Sequence, residues 1–185
     1  MKDMTIVIKE TQEKLKEKFN YSNIHDVPKI EKVILHRGLG EALTNSAVLE
    51  KTFDLFYAIS GQKPVFTKAK KSISNFKLRE GQVVGCKVTL RSHKMKNFLT
   101  NLFYLSLPKI RDFRGISRKG CDNFGNFSFG IKDDSIFPES NTELDKLRGM
   151  DITICTTSKS KEELLFFLEH LGLPFKVNNW KVLYG

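Results

Sequence analysis

VVGCKVTLR, residues 83–91, alternates apolar and polar side chains along its length. In an extended chain Val84, Cys86, Val88 and Leu90 fall on one face, and Gly85, Lys87, Thr89 and Arg91 on the other. The first face suits a core. The second carries hydrogen-bond donors aimed outward. A sheet built this way packs helices on one side and leaves the other side open. Immediately upstream, residues 71–81 (KSISNFKLREG) have no clean period and read as an exposed basic loop.

The neighbouring segments fit the same plan. Residues 4–19 read as a surface helix with Leu15 and Phe19 at i,i+4. KIEKVILHRG reads as a strand ended by the turn at Gly38 to Gly40. NSAVLEKTFDLFYAISG reads as a helix with a stripe of Val48, Leu49, Phe53, Phe56 and Ile59, and Gly61 closes it. PVFTKAK reads as a strand. HKMKNFLTNLFYLSL reads as a helix with Met95, Phe98, Leu99, Leu102 and Leu105 inside, ended by Pro108. NFSFGI and MDITICTT read as two further strands. SKEELLFFLEHLG opens with Ser160 and Glu163 at capping-box spacing, buries Leu164, Phe167, Leu168 and Leu171, and stops at Gly172. The order αβα-ββ-α-ββ-α implies an α+β fold, an antiparallel sheet with helices packed on one face and a long basic loop. Residues 1–176 read as one domain and 177–185 as a C-terminal extension, where Trp180 and Tyr184 await a surface to pack on.

At 185 residues and 40% hydrophobic, the chain can build a core and is too apolar for disorder. Its net charge is +10. Between Lys68 and Lys96, nine Lys or Arg face one acid, Glu80, and between Lys109 and Lys119 five face Asp112. Charge concentrated in this way attracts a polyanion. Lysines outnumber arginines 24 to 7, which favours point-charge contacts to a folded RNA backbone over bidentate reading of duplex DNA. Cys86, Cys121 and Cys155 are far apart in sequence and suit buried thiols in a reducing compartment. No signal peptide or membrane span is visible, so the reading is a bacterial cytoplasm or an organelle interior.

Patterns that would carry catalysis are weak. Asp133, Asp134 and Asp145 hint at metal-dependent phosphodiester chemistry, but adjacent side chains diverge, and a solvated loop after the FGIK strand is the expectation. The histidines at 25, 36, 93 and 170 have no zinc spacing. GLGEAL at 38–43 lacks the third glycine of GxGxxG. No cofactor or metal is expected. The charge and these acids leave two readings open, a nucleic-acid-binding protein and a nuclease.

Six segments in one order, VPKIEKVIL with GLGEA, ISGQKPVFTKAKKSISNFKLREGQVVGCKVTLR, LPKIRDFRGIS, GNFSFGIKDDSIFPE, RGMDITICTTSKS and LGLPFK, resemble large-subunit ribosomal protein five of the bacterial type. The resemblance spans about residues 4–176. It implies a non-enzymatic protein of the central protuberance that binds 5S rRNA, with a fold related to the RNA-recognition (ferredoxin-like) fold. It also implies a loop reaching peptidyl-site tRNA, and an intersubunit bridge to a basic protein of the small-subunit head. Large-subunit rRNA and neighbouring large-subunit proteins are the other implied partners.

Carried over by motif, Gln62 and Thr89 match positions that hydrogen-bond 5S rRNA. Thr67, Lys70, Ser72, Lys87 and Arg91 are nearby candidates for the same RNA. His36 stands where relatives carry an RNA-contacting Asn, and an imidazole can donate or accept there. Lys71, Ser74, Asn75, Phe76, Lys77 and Arg79 fall in the tRNA-reaching loop, where Phe76 either stacks on a base or ribose or tucks into the core. Arg111, Arg114, Asn123 and Phe124 fall in the bridge region. Phe124 replaces a basic residue common in relatives, which removes a charge at that point.

Overall fold

The structure is a computed structural model and describes residues 4–40, 47–140 and 148–176. Its elements follow the expected order: α1 (Met4–Phe19), β1 (Ile30–Gly38), α2 (Ala47–Ser60), β2 (Val65–Lys68), β3 (Val83–Leu90), α3 (Ser92–Asn101), β4 (Asn126–Ile131), β5 (Met150–Thr156) and α4 (Lys161–His170). The strands form one sheet in the order β2-β3-β1-β5-β4, with every pairing antiparallel. Asp145 and residues 177–185, Trp180 and Tyr184 included, lie outside the described residues.

Alternation sorts the sheet into a core face and an open face. Val33, Leu35, Val88, Leu90, Ile152 and Ile154 are each at most 2% exposed, and they share the face that the helices cover. Burying a side chain of this size contributes roughly 1.5–3 kcal/mol. α1 presents Met4, Val7, Thr11 and Leu15 to the core, a helical spacing. It also leans on α4, where Phe19 meets Phe166 edge-on with ring centroids 6.0 Å apart and the Lys18 ammonium sits 3.8 Å from the Phe166 ring centroid.

Two helices differ from their expected stripes. In α2 the buried set is Val48, Thr52, Leu55, Phe56, Ile59 and Ser60. Phe53 is only half-buried and packs against Phe66 of β2, with centroids 5.4 Å apart. After α3 the chain enters a π-helical turn at Leu102–Ser106 and then a 3₁₀ turn at Leu107–Lys109 that contains Pro108. The wider turn shifts the phase of the side chains. Leu105, expected inside, is 39% exposed, and Phe103 takes the core position at 5%.

The start of α4 behaves as its spacing implies. Ser160 Oγ accepts from Glu163 N at 3.2 Å, and the Glu163 carboxylate accepts from Ser160 N and from Lys159 N. This reciprocal cap satisfies amides that the first helical turn leaves unpaired. Ser160→Ala is expected to lower stability by about 1 kcal/mol, read as a shift in the urea midpoint at unchanged slope. A change within experimental error would show that the cap adds nothing here.

Candidate nucleic-acid interface

The helix-free face is assembled by register. His36 of β1 lies opposite Lys87 of β3 on one side and Asp151 of β5 on the other. Lys87 in turn faces Val65 of β2, and Asp151 faces Gly130 of β4. The next row runs Thr89, Ile34, Thr153 and Ser128 across four strands. Ser128 Oγ and Thr153 Oγ1 are 3.0 Å apart and share a hydrogen bond. Lys87 and Arg91 are exposed, while Thr89 and His36 are half-buried. The face is therefore lopsided. Its β2-β3-β1 half carries Lys87 and Arg91, and its β5-β4 half carries hydroxyls and an acid.

Gly85 lets the strands close over one another at the rim. A Cβ there would lie 2.7 Å from Arg37 O, 2.8 Å from Thr67 Oγ1 and 3.3 Å from His36 Nε2. Thr67 and His36 thus converge over a residue with no side chain. Thr67 Oγ1 is buried without a hydrogen-bond partner among the described residues. Gln62 is tied inward as well as placed outward: its Nε2 donates to Thr89 O at 3.0 Å. The same turn is held by Lys94 Nζ, which donates to Gly61 O at 2.7 Å. The two positions matched by motif, Gln62 and Thr89, are therefore in direct contact.

The basic loop is an ordered finger. Ala69 and Gly81 pair at its base, and Ile73 and Leu78 exchange both backbone hydrogen bonds near its tip, at 2.9 and 3.1 Å. Ser72 Oγ accepts from Glu80 N, and Gln82 Oε1 accepts from Arg79 N. A 3₁₀ turn at Ser74–Phe76 forms the tip, and Lys77 follows at φ 50°. Lys70, Lys71, Ser74, Asn75, Lys77 and Arg79 are all exposed. Phe76 is 72% exposed, so the reading in which it tucks into the core does not hold.

The bridge candidates separate into two places. Arg111 and Arg114 are exposed on the loop before β4 and line a cavity that reaches Gly130 and Ile131. Asn123 and Phe124 sit in a turn at the other end of β4, ~17 Å away along the strand. That turn is braced by Asp122. Its Oδ1 accepts from Phe124 N and Asn126 N, and its Oδ2 accepts from Asn126 Nδ2. Gly125, at φ 77°, lies against Ser158 so closely that a Cβ would sit 2.4 Å from Ser158 O. Phe124 is held out at 83% exposure. The hydrogen bonds from Asn126 keep the Asp122 carboxyl below its ordinary range. The bracing is thus complete above the unfolded-state value and fades as pH falls through the folded one.

One constellation differs from its sequence reading. Asp134 is not in a solvated loop but 2% exposed. Its Oδ2 accepts from Arg37 Nη2 at 2.9 Å. Arg37 is also 2% exposed and donates to Gly149 O and Arg148 O, with its guanidinium 5.4 Å from the Phe56 ring centroid. Burial lowers the Arg37 pKa, and Asp134 opposes that shift. The signal was present in β1: Arg37 continues the core phase of Val33 and Leu35. The acid suggested for metal chemistry is committed to this pair. Burial also pushes the Cys86 thiol up to about 11, which keeps it protonated and unreactive near neutrality.

The sequence relationships account for this arrangement. A model of ribosomal protein L5 matches residues 23–79, and the model of that family's C-terminal part matches residues 83–175. The chain belongs to the ribosomal protein L5 family. It is 51% identical over 169 residues to the large ribosomal subunit protein uL5 of Geobacter sulfurreducens, covering 91% of this chain and 94% of that one. The uL5 proteins of Picosynechococcus sp. (51% over 164 residues, 88% and 91% covered) and Malacoplasma penetrans (48% over 168 residues, 90% and 90%) are similarly related. As a member of this family the chain is a structural, non-enzymatic constituent of the large ribosomal subunit.

Proposed function

We propose that the protein holds 5S rRNA in the central protuberance on the β2-β3-β1 half of its open sheet face. The observation that carries this reading is the line of Lys87 and Thr89 along β3, continued by Arg91 in extended conformation just past the strand, beside a cationic finger. Lys87, Arg91 and Lys70 neutralise phosphates, which supply most of the affinity. His36, Gln62, Thr67, Ser72 and Thr89 supply short polar groups for phosphate, 2′-hydroxyl or base edges. The Gln62 tie to Thr89 O leaves its Oε1 for the RNA.

In the same reading Lys71, Ser74, Asn75, Phe76, Lys77 and Arg79 meet peptidyl-site tRNA. An exposed aromatic on a basic tip suits stacking on a base or ribose. Of the bridge candidates, Asn123 and Phe124 serve the contact with the small-subunit head, while Arg111 and Arg114 lie at the opposite end of β4. Phe124 then acts as an apolar anchor in place of a charge.

The decisive test is binding of the purified protein to 5S rRNA and to an unrelated stem-loop of equal length at several salt concentrations. Preference for 5S rRNA at every salt is expected, and equal affinity would overturn the assignment. Phe76→Ala should leave the 5S rRNA affinity unchanged. In reconstituted subunits it should weaken peptidyl-site tRNA binding by about 1–3 kcal/mol. Loss of 5S rRNA binding instead would mean that the finger's tip and stem do not divide the two RNAs.

A further inference from the structure

β4 is the outermost strand on its side of the sheet, and its outer edge is only partly covered. Asn126 turns both backbone groups outward, its N–H to Asp122 Oδ1 and its C=O to Asp122 N. Cys121 bridges to Phe127, and Gly120 lies so close that a Cβ there would be 2.1 Å from Ser128 O. Among the described residues the cover ends at that point. In an antiparallel ladder, alternate residues direct their backbone groups to the same side. Gly130 therefore points its N–H and C=O outward, as Asn126 does. It is exposed and has no side chain to shield them.

Two adjoining cavities open there, of about 760 and 480 Å³. Both are lined by Ile110, Phe113, Gly115, Gly130 and Ile131. The larger carries Lys109, Arg111, Arg114, Lys132 and Lys176 against Asp112 and Asp133. None of these five cations has an ion-pair partner among the described residues. The far wall is fixed, because Ile116 N donates to Pro174 O at 2.8 Å and Lys176 N donates to Ile116 O at 2.9 Å. Gly115, at φ 87°, is pressed against Phe175 and cannot carry a side chain without displacing that backbone.

We propose that this groove receives an extended acidic segment of a neighbouring protein, added as a strand to the uncovered end of β4. Gly130 offers one donor and one acceptor for main-chain pairing. Ile110, Phe113 and Ile131 make an apolar floor for alternate side chains, and the cationic rim suits carboxylates between them. A polynucleotide would use the rim but neither the floor nor the Gly130 pairing. A strongly basic surface would be repelled by the rim. The inference gives Arg111 and Arg114 to this segment rather than to a basic bridge partner; it takes from the family assignment only that neighbouring proteins surround the chain, and it is independent of the 5S rRNA contact.

The test uses the full chain and labelled peptides of about ten residues, enough to run the length of the strand. Fluorescence anisotropy compares an alternating Glu-Val peptide, its Lys-Val counterpart and a Glu-Val peptide N-methylated at alternate amides. The Glu-Val peptide should bind at least about tenfold more tightly than either control, a difference of about 1.4 kcal/mol. Arg111→Glu with Arg114→Glu should erase that preference. Saturating peptide should leave 5S rRNA affinity unchanged, so failure of the groove and failure of the RNA reading give different results. Equal binding of the three peptides, displacement of the Glu-Val peptide by an oligouridine decamer, or dimerisation of the chain through this edge would each overturn the proposal.

Discussion

Asp134→Ala is expected to lower the unfolding free energy by about 3–5 kcal/mol, the range for removing one partner of a buried ion pair. The substitution leaves the Arg37 guanidinium 2% exposed with two carbonyls and no counter-charge. For a domain of this size that is a large share of the total stability. Equilibrium urea unfolding at neutral pH reads it directly. Replacing both partners together, Arg37→Met with Asp134→Leu, should recover most of the loss, because a packed apolar pair carries no desolvation penalty. If the single substitution proved as mild as a surface change, the pair would be solvated in solution and its role at the end of β1 would have to be abandoned.

The second large effect concerns RNA. Lys87→Glu combined with Arg91→Glu should reduce the slope of log affinity against log salt by about 2, close to one unit per phosphate contact. The 5S rRNA complex should weaken by about 3 kcal/mol or more, since a hydrogen bond to a charged group contributes roughly 1.5–3 kcal/mol. Both side chains are exposed on the open face, so the folded state should change by no more than ~0.5 kcal/mol. Lys77→Glu on the finger is the internal control. It carries the same charge change and should have little effect on 5S rRNA. Similar losses from sheet and finger would mean that nonspecific charge, rather than the sheet face, governs the contact.

The strands were legible because alternation is a two-residue signal that survives in short segments. Val84, Cys86, Val88 and Leu90 needed no tertiary information to be assigned to one face. The cap at Ser160 was legible for a similar reason, since both partners lie within one helical turn. What escaped depended on contacts far apart in the chain or on local irregularity. The residues of the π turn at Leu102–Ser106 are equally compatible with a regular helix, in which Leu105 would point inward. Asp134 looked solvated because its partner is 97 residues away. At the site, composition located the charge and the motif order supplied the positions. The Gln62 link to Thr89 and the crowding of Thr67 and His36 over Gly85 emerged only from register. The two segments that the resemblance marks as bridge candidates are close in sequence, yet β4 holds them at opposite ends.

The latch at Arg37 also constrains when the molecule can be completed. Its acceptors lie 97 to 112 residues downstream, and β1 pairs with β5, whose last residue is Thr156. Long-range pairing of this kind is kinetically slow because a large loop must close first. During synthesis the central strand therefore waits, with one side unpaired, until residues up to Thr156 have been released. The β2-β3-β1 half needs nothing beyond Leu90 to pair, so the sheet is expected to close in two stages, with β5 and the latch last.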